Sequence, residues 1–159
     1  RAAPPSPSGP RCGWGGGWGA LWLAQRPSPG PDSDWVIDLW TRLAAHPSEE
    51  VRAACLARFA REIHRVRVEA IVVERIYNEP LASLRARAIG LLDRGSTPGA
   101  LGALLEASRS AAADVRRAVA KALSMMSDAE SAKRLEALKT DADRKVHREA
   151  KKSLRQRKR

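Results

Sequence analysis

Cysteine and histidine are scarce here, as are aromatics outside the tryptophans, and the first two shortages each close off a class of function. Cys12 and Cys55 are the only cysteines. Two cannot build a disulfide framework, and Cys55 falls on an apolar helical position, where a free thiol behaves as a small hydrophobe. That usage points to a reducing compartment and an expected cytoplasmic location. The histidines, His46, His64 and His147, are too dispersed for HExxH or any local Cys/His metal motif. His46 beside a turn and His147 in the basic C-terminal region read as exposed residues. His64, near Glu62 and Arg65, shows no general-acid pattern. No run of 18 apolar residues exists, which excludes a membrane-spanning helix. Glycine-rich phosphate loops, a G-x-S-x-G elbow and catalytic carboxylate pairs are missing too. The expectation is a protein with no catalytic, metal or cofactor residues.

The formal charge of +11 suggests nucleic acid until it is divided by segment. Residues 1–31 carry three arginines and no acid, and residues 32–143 carry 17 basic and 17 acidic residues. Residues 144–159 carry nine basic residues against Glu149 alone. The excess therefore sits at the ends.

Seven of the ten prolines lie in residues 1–31, among glycines and serines. This stretch reads as a disordered or weakly ordered arm. Trp14, Trp18 and Trp22 are its odd feature, open to three readings: plain arm, cover for the first repeat, or targeting and partner binding. Arg1 in place of an initiator methionine leads to the expectation of a processed product, a fragment or a chain given without its first residues.

From residue 32 a repeat takes over. Val51, Cys55 and Phe59 are spaced i, i+4, i+8, and the pattern returns at Leu84, Ala88 and Leu92, at Val115, Val119 and Leu123, and at Val146, Ala150 and Leu154. This spacing places each trio on one helix face. A preceding helix accompanies each one: Asp34 to about Ala45 with Trp35, Leu39, Trp40 and Leu43 as its stripe, then helices through Ala70–Ile76, Leu101–Leu105 and Ala132–Leu138. Pro47 and Pro80 each stand four residues before the first apolar position of the following helix, and Pro98 opens another. Ser48 is the expected cap of the second helix, and Asp114 stands where a carboxylate favours exposed helical N–H groups. Gly90 lies inside a helix, Gly95 suits a C-cap, and Met125 and Met126 are expected to fill core space. A pair of such helices cannot bury its stripe alone, and stacking pairs does so. The predicted fold is all-α, a right-handed superhelix of about four helix pairs over residues 32–155, ending in a basic tail at 156–159.

The motif Asp114-Val115-Arg116 with Ala118 and Leu123 resembles a HEAT repeat of the short type seen in bacterial proteins and phycobilin-lyase-like scaffolds. Glu50-Val51-Arg52 is close to it, Ser83-Leu84-Arg85 lacks the acid, and Lys145-Val146-His147 lacks both charges. The resemblance implies that Arg52, Arg85 and Arg116 support packing between repeats through a neighbouring acid. It also implies that the second helices line a concave face, which makes Arg87, Arg117 and Lys121 candidate contacts. Some HEAT-like proteins excise alkylated DNA bases, using tryptophans and an acid. Trp35, Trp40 and Asp38 lie close in sequence, but both tryptophans read as core.

Two further basic groups are candidate partner-binding residues: Arg58, Arg61 and Arg65 on one helical face, and Arg148, Lys151, Lys152 and Arg155 on the last helix. No aromatics interleave with the latter, so base stacking has no support. The expected function is a non-enzymatic scaffold or adaptor that holds a protein partner on the concave face. Electrostatic nucleic-acid binding through the last helix and the arginines is the alternative.

Overall fold

A computed structural model describes residues 34–92 and 98–157. The expected arm over residues 1–31, the C-cap at Gly95 and the last two residues lie outside this range. The described residues form eight helices: α1 (Asp34–Ala44), α2 (Glu49–Glu62), α3 (Val66–Asn78), α4 (Ala82–Leu91), α5 (Pro98–Ala107), α6 (Ala113–Leu123), α7 (Ala129–Leu138) and α8 (Arg144–Arg157). They are paired in chain order into four units. First helices pack on first helices (α1 on α3, α3 on α5, α5 on α7), and second helices on second helices (α2 on α4, α4 on α6, α6 on α8). The result is a short right-handed solenoid with two rows of helices and one continuous core between them.

The sequence trios are the spine of that core. Val51, Phe59, Ala88, Leu92, Val115, Val119, Leu123, Val146 and Ala150 are fully buried, and Cys55 and Leu84 nearly so. Phe59 meets Trp40 of the neighbouring helix edge-on, with ring centroids 5.7 Å apart. Proline marks the boundaries for distinct reasons. Pro98 is the first residue of α5, where its missing N–H is no loss. Pro47 and Pro80 lie in the turns that break each helix pair.

Several expected core positions are displaced by one residue. Trp35 is 57% exposed and Val36 is buried in its place beside Trp40 and Leu43. Met125 is 66% exposed while Met126 packs inward. On α8 the third buried position is Ser153 and not Leu154, which is half-buried. On α1 and α8 the expected residue lies one step, 100°, from the inward direction, at the edge of its stripe, whereas Met125 and Met126 lie in the turn after α6. Burying Ser153 leaves its hydroxyl without a hydrogen-bond partner. Gly90 meets no packing demand: a Cβ built there would touch nothing within 4 Å.

Two histidines expected to be exposed are half-buried and have structural roles. Ser48 occupies the N-cap of α2 but gives no side-chain bond. His46 acts instead, its Nδ1 accepting the Ser48 N–H at 3.0 Å. His147 Nδ1 lies in close contact with the Lys139 carbonyl oxygen.

The arginine ladder and candidate partner-binding surfaces

Each turn inside a unit is built by one residue, six positions before the basic residue of the following helix. Those residues are His46, Glu79, Ser110 and Asp141. Each accepts the backbone N–H two residues on: His46 from Ser48, Glu79 from Leu81 at 3.3 Å, Ser110 from Ala112 at 3.3 Å, and Asp141 from Asp143 at 2.9 Å. Such a bond fixes the turn locally and leaves the rest of the side chain to face the preceding unit.

Arg52 and Arg116 use that arrangement to join units. Arg52 donates from Nη1 to the His46 and Pro47 carbonyls of its own turn, at 2.9 and 2.8 Å. Its other edge grips Glu79 of the next unit, Nε to Oε2 and Nη2 to Oε1, both at 3.0 Å. The side chains are only 9% and 1% exposed. Arg116 repeats this with the Ser110 and Ala111 carbonyls, both at 2.9 Å, and with Asp141 at 2.7 and 2.9 Å. Planar guanidinium suits this double task because its two edges point apart. The hydrogen bonds from Arg116 hold the Asp141 carboxyl below its usual range, outweighing the opposing effect of burial. The same pairing raises Arg116.

Arg85 departs from the expected role. The position that should supply its acid carries Ser110, and Arg85 Nε is buried without a hydrogen-bond partner. His147 stands at the arginine position of the last unit and reaches back only to Lys139, within its own unit. The acids Glu79 and Asp141 were not among the candidate residues of the sequence. Counting back six from Arg85 and from His147 finds both.

A second set of arginines ties successive first helices. Arg75 of α3 donates to the Ala44 carbonyl at the end of α1 (3.2 Å), and Arg134 Nε of α7 to Ser108 Oγ after α5 (2.5 Å). At the end of the stack Arg157 donates to the Leu123 carbonyl, Ser131 Oγ and the Asp128 carbonyl. The expected tail therefore begins within α8, and Arg157 is docked. Burial alone would raise the Asp128 carboxyl, but the bonds from Ser131, together with the charge of Arg157, bring it below its usual value.

The candidate basic residues fall into three places. Arg58 and Arg65 converge on Glu62 at 3.1 and 2.7 Å, and Arg58 also stacks on the Trp40 ring, so both are half-buried and partnered within α2 and its end. Arg61 between them is exposed. Arg117 and Lys121 come together along the second-helix row, in a groove of about 330 Å³ across α4, α6 and α8. Its floor is Ala86, Gly90, Ala118 and Ala122, and Asp114 and Glu149 supply the opposite charge. Arg117 lies 3.8 Å from Glu149. Arg87 is exposed on α4 but does not line the groove. Arg148, Lys151, Lys152 and Arg155 gather on one side of α8, with Lys152 3.9 Å from Glu149.

Among the described residues no three His, Cys, Asp or Glu side chains could hold a metal ion, and no helix is long and apolar enough to cross a membrane.

Solved structures with a similar fold include two designed armadillo repeat proteins, 16% and 17% identical to this chain, both with a TM-score of 0.54. Each match covers 77% of this chain and 64% of the other, so this chain spans less than two thirds of those proteins. The second of them is in complex with the peptide (KR)4. An engineered protein solved by a structural genomics consortium is 19% identical, also with a TM-score of 0.54, over 87% of this chain and 79% of that one. No curated protein matches the sequence. The family model for HEAT repeats matches residues 70–155. With more than half of its length matched and its described helices stacked in pairs, this chain belongs to the HEAT-repeat family.

Proposed function

We propose that the protein is a non-enzymatic scaffold that holds a protein partner along its second-helix row, the row that lines the concave face in HEAT-like stacks. The observation that carries this reading is the groove across α4, α6 and α8. Its small-residue floor lets another backbone approach closely, and Arg117, Lys121, Asp114 and Glu149 offer charges of both signs to fix register. Arg87 and Arg61 are exposed on the second helices α4 and α2. A designed armadillo protein of similar fold is in complex with the peptide (KR)4. Here the candidate contacts are mostly basic, which favours a partner segment with acidic character.

The test uses the full chain and two variants, one with the groove filled by Ala118→Arg and one with Arg148, Lys151, Lys152 and Arg155 changed to glutamine. A stoichiometric partner lost with the first variant and kept with the second supports the scaffold. A partner retained by the filled groove overturns it.

A second reading, electrostatic nucleic-acid binding, is favoured by the four cations gathered on α8. It predicts binding to a labelled duplex or single strand that weakens steeply with salt and disappears in the glutamine variant. Removing α8 would not test this reading, because Val146, Ala150 and Ser153 of α8 belong to the packed interior.

A further inference from the structure

The ladder has one open rung. Glu79 fills it for Arg52 and Asp141 for Arg116, but Ser110 is too short and carries no charge, leaving Arg85 Nε buried without a partner. Arg85 and Ser110 border a cavity of about 550 Å³, completed by Gly102, Leu105, Glu106 and Arg109 of α5 and its end. The wall at Gly102 is open: an added Cβ there would meet only the Tyr77 hydroxyl, at 3.7 Å. Glu106 is exposed and makes no ion pair with Arg85 or Arg109 among the described residues. Leu105 and Arg109 also line an adjoining cavity of about 300 Å³, which reaches Lys133 and Arg134 of α7. The two cavities thus form a track along the first-helix row, with Arg85, Arg109, Lys133 and Arg134 set against Glu106 and Glu130.

We propose that this track docks an acidic peptide segment of a partner protein, one side-chain carboxylate of which completes the Arg85 rung in the place that Glu79 and Asp141 take at the other two. The two filled rungs identify the missing group. They show a carboxylate, held side-on by the guanidinium, at the same step of the repeat. The adjoining cavity gives the segment room to continue past Arg109, where cations outnumber acids. This surface lies on the first-helix row and is independent of the groove on the second.

The test follows the Arg85 Nε–Hε resonance of the nitrogen-15-labelled full chain, assigned by its loss in Arg85→Gln. The probes are an alternating alanine–glutamate octapeptide, its alanine–glutamine counterpart and inorganic phosphate. The glutamate peptide is expected to shift the resonance, and the glutamine peptide is not. Ser110→Asp supplies the carboxylate internally. It should shift the same resonance with no peptide present, raise the melting temperature and weaken the glutamate peptide about tenfold, the loss of roughly one charge-assisted bond. Neutralising the four α8 cations should leave that affinity unchanged. An unmoved resonance, equal affinity in Ser110→Asp, a lower melting temperature in that variant, or a response to phosphate alone would each overturn the proposal.

Discussion

Arg116 and Asp141, 25 residues apart in the chain, share two nearly parallel hydrogen bonds of 2.7 and 2.9 Å that lock the third unit to the fourth. Asp141 is held below the usual carboxylate range, so its folded-state pKa lies under its unfolded value. Its contribution to stability is therefore complete above about pH 4 and is lost as pH falls through the folded pKa. Asp141→Asn is expected to cost about 1–3 kcal/mol at neutral pH. Thermal melts across an acid series should show the variant losing less stability than the wild type on acidification. Parallel curves would show that another group titrates.

Arg52 and Glu79 are more deeply buried, which changes the expected pattern of mutation. Arg52→Met leaves a buried carboxylate without its cation and should cost about 3–5 kcal/mol. Glu79→Leu alone strands the arginine. The double change removes both charges and should cost clearly less than the sum of the single changes. Urea unfolding of the four chains measures the coupling directly, and strict additivity would rule out the pair as a unit.

Gly90→Ala offers a gain in stability. A methyl group there meets nothing within 4 Å, and alanine restrains the unfolded chain more than glycine does. The variant should be more stable by about 0.5–1 kcal/mol. A loss would mean that α4 depends on the glycine in a way its packing does not show.

The period and the two rows were legible in the sequence because they depend on local spacing. Val115, Val119 and Leu123 point one way whatever surrounds them, and prolines cannot continue a helix. The choice within a stripe was less legible. Val36 against Trp35 and Ser153 against Leu154 depend on how neighbouring helices pack, and Met126 against Met125 on the turn after α6, none of which a single helix encodes. The ladder was half legible: resemblance pointed to the arginines, but their acids lie 25 and 27 residues away in turns that hydrophobic spacing does not register. The six-residue offset is written in the sequence and becomes a signal only once the turn's task is known. Of the surface candidates, the α8 cations gather as their helical spacing implies. Arg58 and Arg65 instead turn to Glu62, a partner whose competition a list of basic positions leaves out.

Cys55 is a chemical reporter of the interior. Burial pushes its thiol up to about 12, and only 1% of the residue is exposed. In a Cys12→Ser chain it should not react with a disulfide reagent at about pH 8 until the fold opens, because the thiolate is the reactive form. Labelling should then follow unfolding by urea in step with circular dichroism. Rapid labelling of the folded chain would place the first two units in an open equilibrium.

The unfilled rung at Arg85 also has a mechanical meaning. The outer seams are bolted at the turn edge by Arg52–Glu79 and Arg116–Asp141, whereas the middle seam is joined chiefly by the broad contact of α4 with α6. A stack fastened this way would flex as a door does, with its hinge line along the second-helix row and its free edge beside Ser110. Under load, units one and two would swing as one leaf and units three and four as the other.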